Sequence, residues 1–86
     1  MRVVVPSPLF SYTCGQKEID ATGDSLAQLL IALDQRYPGL RHRIIDEQER
    51  IRPHIRFFVN GEGAATLDRV LRAEDEVLIV AALSGG

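Results

Sequence analysis

A single cysteine, Cys14, among 86 residues leaves no partner for an internal disulfide, so the chain must hold together through a hydrophobic core. An excess of one charge is also missing. Ten Lys and Arg face twelve Asp and Glu, a formal net charge of −2, and the signs are interspersed. A nucleic-acid surface shows itself as a clustered basic excess, so that class of partner is not expected. No apolar run is long enough for a membrane span or a signal-peptide core, and the opening MRVVVPSPLF is interrupted by Pro6 and Pro8. Nothing indicates secretion or membrane attachment, and the cytosol is the expected compartment. No G-x-x-x-x-G-K-[ST] or G-x-G-x-x-G segment occurs, which removes the common nucleotide-binding loops. There is no internal repeat and no low-complexity tract.

What is present suffices for one small folded domain. The apolar fraction of 45% excludes intrinsic disorder. A chain of this size buries somewhat more than about 60% of its unfolded surface, enough for a core of modest stability. Arg2 to Pro6 is rich in β-branched residues and stops at a proline, the pattern of a strand. The segment SPLFSYTCG reads as a loop or wide turn. Gln16 to Ala21 alternates around Ile19 and reads as the second strand of a hairpin.

Leu26, Leu29, Leu30, Leu33 and Tyr37 then fall at i, i+3, i+4, i+7 and i+11, one stripe of an amphipathic helix. Ser25 followed by Gln28 fits a capping box at its start, and Pro38-Gly39 marks its end. Leu40 to His54 is polar and irregular and is expected to be a long surface connection. Ile55 to Gly61 reads as a third strand running into an Asn60-Gly61 turn, a strong hairpin signal. Thr66 to Glu76 suggests a short helical turn and a charged reversal, and Val77 to Ala81 is the last strand.

The order β-β-α-β-(short β)-β, with one main helix, predicts a two-layer α+β domain in which the helix lies across one face of a sheet. The terminal strand is apolar and is expected in the middle of the sheet beside the first. If those two run parallel, the helix supplies the crossover that a parallel pair requires. That arrangement is the β-grasp, or ubiquitin-like, fold: a mixed sheet of four or five strands over residues 1–80, followed by a flexible tail of residues 81–86.

Phe57 to Glu62 (FFVNGE) followed by Leu71 to Gly86 (LRAEDEVLIVAALSGG) resembles the ThiS/MoaD family of ubiquitin-fold sulfur carriers. Val59-Asn60, Asp75-Glu76-Val77 and the terminal Gly85-Gly86 match that family's pattern. The front half, Gly15 to Leu40, is similar to carriers that serve cysteine biosynthesis. The resemblance implies a cycle in which an E1-like enzyme, using ATP and Mg²⁺, adenylates the carboxylate of Gly86. A sulfur donor, sulfide or a persulfide protein, then displaces AMP to leave a thiocarboxylate. A sulfur-accepting synthase finally receives the sulfur. Cysteine, thiamine, molybdopterin and thio-metabolite pathways all remain open as the destination. The chain would be a co-substrate of the activating enzyme rather than an enzyme, with no cofactor of its own.

The chemistry explains why such a tail is useful. An α-carboxylate has a pKa of roughly 3.3–3.7, so at neutral pH it is an anion and a poor electrophile until it is adenylated. Residues 81–86 can extend roughly 20 Å at about 3.3 Å each, enough to reach a buried site. Ala82, Leu83 and Ser84 would form the arm and Gly85, without a Cβ, the part that passes a narrow slot. Ordering the tail costs on the order of 1–2 kcal/mol per residue, so a docking surface elsewhere must compensate. Strand alternation supplies one: Val77 and Ile79 should face the helix, leaving Val4, Phe58, Leu78 and Val80 together on the outer face.

Two given positions are both glycine by chance about once in 200 chains at about 7% glycine usage, so the terminal pair alone is modest support. Cys14 has no neighbour that would activate it and is expected to be a half-buried loop residue. His42 and His54 lack metal-ligand spacing and read as solvated, and no metal site is expected. Arg41, Arg43, Arg50 and Arg52 have the charge to recognise an acidic partner, but a solvated loop is the favoured reading. Two rival functions remain: a ubiquitin-like modifier joined to lysines through Gly86, and a binding module whose tail is incidental.

Overall fold

The computed structural model describes residues 1–82. Five strands, β1 (Arg2–Val4), β2 (Glu18–Asp20), β3 (Ile55–Val59), β4 (Glu62–Ala64) and β5 (Glu76–Ala81), form one sheet in the order β2-β1-β5-β3-β4. The first and last strands are parallel neighbours at its centre, and every other pairing is antiparallel. The crossover between them contains helix α1 (Leu26–Arg36), followed by a short helix α2 (Leu40–Ile44). The chain therefore has the β-grasp architecture.

The hydrophobic stripe decides which way α1 faces. Leu26, Leu29, Leu30 and Leu33 are buried in one cluster with Val3, Ile19, Phe57, Val77 and Ile79 from the sheet and with Val5 just beyond β1. Burying a side chain of this size contributes roughly 1.5–3 kcal/mol, so this interface is the main source of stability. The start of α1 is satisfied differently from a full capping box. Ser25 Oγ accepts from the Gln28 N–H at 3.3 Å. The N–H groups of Leu26 and Ala27, which have no partner inside the helix, donate to the carbonyls of Arg69 (3.1 Å) and Leu67 (2.9 Å). Gly23, just before, is needed for close approach: a Cβ there would lie 2.6 Å from the Leu29 backbone nitrogen.

Two segments differ from the sequence expectation. Residues 40–54 are not a surface connection, because Leu40, Ile44 and Ile45 are buried in the core. Leu40 and Ile44 stand one helical turn apart on α2, whose remaining residues, Arg41, His42 and Arg43, hide the pattern. The Asp34 carboxylate fixes the approach by accepting from the N–H groups of Gly39 (3.1 Å) and Arg41 (3.2 Å). Beyond α2, Asp46 closes a turn by accepting from Gln48 (2.9 Å) and Arg50 (3.0 Å). Those donors, the Arg50 N–H foremost, hold its carboxyl below the usual range.

Residues 66–75 form turns rather than a helix, and Glu76 already belongs to β5. Their carbonyls cap α1, Leu71 enters the core and Val70 forms an isolated bridge with Ser25. The charged reversal at 72–75 is present, with the Asp75 N–H donating to the Arg72 carbonyl at 3.0 Å. The segment after β1 also holds a 3-10 turn, Ser7–Leu9, that buries Leu9.

Candidate functional site

Strand β5 carries four consecutive apolar residues with opposite fates. Val77 and Ile79 are 0% and 1% exposed beneath α1, whereas Leu78 and Val80 are each 37% exposed on the other face. Register places the outer residues side by side. Leu78 pairs with Val4 on β1 and with Phe58 on β3, forming one cross-strand row, and Val80 pairs with Arg56 in the next row. Val4 and Phe58 are half-buried. The four outer residues expected from alternation thus share one face.

Charged residues border this row on the same face. Arg2 Nε lies 2.6 Å from Glu18 Oε1 and 3.3 Å from Glu76 Oε2. Arg56 turns its Nη1 to the carbonyls of Pro53 (2.7 Å) and Ile55 (2.9 Å). An apolar centre with a polar rim is the anatomy of a protein-docking surface.

The start of β5 is clasped to the end of β3. Asn60 and Gly61 have φ of 52° and 82°, the left-handed pair that a tight two-residue hairpin needs. From there Asn60 Nδ2 donates to Asp75 Oδ1 (2.8 Å), and Asn60 Oδ1 accepts from the Glu76 N–H (2.9 Å). Asp75 Oδ2 accepts from the Arg72 N–H at 2.8 Å. The Arg72 donor first, then the Asn60 amide, hold the Asp75 carboxyl below the usual range. The sequence marks Asn60 and Asp75 as separate pattern positions; that they touch across fifteen residues is visible only in the structure.

At the other end, Ala81 is still in β5, and the Ala82 N–H donates to the His54 carbonyl at 2.8 Å. Pairing with the β3 side therefore continues to the last described residue. Leu83, Ser84, Gly85 and Gly86, assigned to the tail and its reactive end, lie outside the described residues.

Other candidates sort themselves simply. Cys14 is exposed rather than half-buried, in a left-handed turn with φ of 55°. His42 and His54 are exposed. The arginines are not merely a solvated loop: Arg41 pairs with Glu49 at 2.9 Å, Arg52 Nε donates to the His42 carbonyl at 2.9 Å, and Arg43 lies over the Tyr12 ring at 5.8 Å. No helix among the described residues is long and apolar enough to cross a membrane.

A β-grasp domain whose central strand shows an apolar outer face and leads to a Gly-Gly end is a ubiquitin-like protein. More narrowly, the chain belongs to the ThiS family, whose model matches residues 3–86. It is 30% identical to the sulfur carrier protein CysO of Mycobacterium tuberculosis over 89 residues, covering 98% of this chain and 96% of that protein. Its fold superimposes on a chain of the Amycolatopsis orientalis BexX/CysO complex with a TM-score of 0.90 at 26% identity, covering 99% of this chain and 98% of that one. Small archaeal modifier protein 1 of Haloferax volcanii is also similar, with a TM-score of 0.77, 28% identity and coverage of 99% and 97%.

Proposed function

We propose that this chain is a sulfur carrier that works through the carboxylate of Gly86. The observation that carries the reading is the family match, which extends to residue 86 and so includes the Gly-Gly end. The likeness to CysO over nearly the full length of both chains supports the same role.

In the proposed cycle a carboxylate oxygen of Gly86 attacks the α-phosphorus of ATP-Mg²⁺ held by an E1-like enzyme, and pyrophosphate leaves. Sulfide attacks the acyl carbon and AMP departs with the bonding pair. Where a persulfide protein is the donor, the acyl disulfide formed first is cleaved by a second thiol, which attacks the donor's sulfur and ends in a disulfide with it. The resulting thiocarboxylate passes its sulfur to an accepting synthase, and cysteine formation is the destination that the CysO likeness favours. Val4, Phe58, Leu78 and Val80 dock the activating enzyme. Ala82, Leu83, Ser84 and Gly85 lead Gly86 into its active site. The BexX/CysO complex supports the idea that this fold works by protein docking.

Length is the test of the terminal carboxylate. A variant with one extra residue after Gly86 should lose adenylation by the E1-like enzyme, read as ATP–pyrophosphate exchange. Undiminished exchange would count against the mechanism.

A second reading, a modifier conjugated to lysines through the same adenylate, is supported by the likeness to small archaeal modifier protein 1. Covalent adducts of higher mass on the host's proteins, lost when Gly86 is removed, would favour it.

A further inference from the structure

Where β5 hands the chain to its last four residues, a groove of about 610 Å³ opens beside Ala81 and Ala82. Its apolar side is formed by Pro8, Leu9 and Ile55, while the polar wall consists of His42, Arg43, Glu47, Arg52 and His54. The lining thus holds two arginines and two histidines against one acidic residue. Neither Arg43 nor Arg52 forms an ion pair among the described residues. Both are nevertheless held at the wall, Arg52 by its bond to the His42 carbonyl and Arg43 by the Tyr12 ring. An arginine fork held in this way suits a carboxylate.

The sequence offers one such group within reach. Leu83, Ser84, Gly85 and Gly86 carry no charged side chain, so the only charge they bring is the terminal carboxylate. Four residues beyond Ala82 span at most about 13 Å, and Ala82 itself lines the groove. Glycine at positions 85 and 86 permits the chain reversal that returns the carboxylate to the wall.

We propose that this groove is a carboxylate-binding site that holds the chain's own Gly86 carboxylate while no partner is engaged. The inference rests on the reading of Gly86 as the reactive end. An exposed ion pair is weak alone, but a short tether gives the carboxylate a local concentration on the order of millimolar. The bound state is therefore a resting position that a partner can empty, not a lock.

The test compares the ¹⁵N-labelled 86-residue chain bearing a free carboxylate with the same chain bearing a C-terminal amide. The change is a single terminal group, so folding is not at issue. Removal of the charge should shift the side-chain Nε–H resonances of Arg43 and Arg52 and the backbone amide of His54, beyond the changes at residues 83–86. Arg43→Gln should reduce those differences, and high salt should collapse them. Differences confined to residues 83–86, or centred on Leu78 and Phe58, would overturn the site. That failure leaves the sulfur-carrier reading standing, because the latter is decided by activation chemistry and not by where the free carboxylate rests.

Discussion

The two faces of β5 carry nearly the same residues and do opposite work. Val77 and Ile79 are sealed beneath α1, while Leu78 and Val80, their immediate neighbours, lie partly open beside Val4 and Phe58. Hydrophobicity therefore does not say what a residue in this strand is for; the direction of its Cβ does. The inner pair supplies stability. In the proposed function the outer pair supplies recognition, and the strand continues into the tail that recognition must deliver.

The sharpest way to break this comparison is to truncate one residue on each face. Ile79→Ala should lose about 2–5 kcal/mol of unfolding free energy by denaturant titration, through lost transfer energy and the cavity left behind. Leu78→Ala should stay within about 1 kcal/mol, since that residue is only partly covered, on the face away from the core. Similar losses at both sites would remove the distinction. A charge on the outer face is the converse experiment. Phe58→Asp should keep the fold cooperative but weaken binding to the E1-like enzyme at least tenfold in calorimetry, about 1.4 kcal/mol. Equal affinity would remove this residue from the docking surface.

Smaller effects belong to the clasp at the start of β5. Asn60→Ala removes both arms of the bridge to Asp75 and Glu76 and places alanine at a left-handed φ. A loss on the order of 1 kcal/mol is expected, with Asn60→Gly recovering the backbone part but not the hydrogen bonds. Smallest is a pH effect. The folded-state pKa of Asp75 is lowered, so its contribution is present above the ordinary carboxylate pKa and lost as pH falls through the depressed folded value. Asp75→Asn should therefore lower the urea midpoint at neutral pH, where the carboxylate's contribution is present and an amide N–H₂ cannot accept from both the Arg72 N–H and Asn60 Nδ2. It should also flatten the further fall at acid pH, below the usual carboxylate range. An unchanged acid slope would contradict the origin assigned to that shift.

Much of this molecule is legible in its sequence. The leucine stripe of α1 and the alternation in β3 and β5 follow from burial on one face, and burial leaves a periodic mark. The parallel β1–β5 pair follows in turn from the helix between them. The buried turn at α2 left a weaker mark, because Leu40 and Ile44 are only one helical step apart and charged residues fill the space between. Residues 66–76 misled for another reason: their main task is done by backbone carbonyls capping α1, and carbonyls have no side-chain signature. The contact between Asn60 and Asp75 depends on the pairing of β3 with β5, and the gathering of Arg43, Arg52 and His54 beside Ala82 depends on how α2 and the segment before β3 pack at the end of that pair. Spacing along the chain cannot show them.

The central claim is that the end of this strand carries sulfur. Intact-mass measurement after incubation with its E1-like enzyme, ATP-Mg²⁺ and sulfide tests it most directly. The account predicts a product in which one oxygen is replaced by one sulfur, located by fragmentation at Gly86. A chain that is adenylated yet shows no sulfur-for-oxygen product, or a sulfur atom found at Cys14 instead, would contradict it.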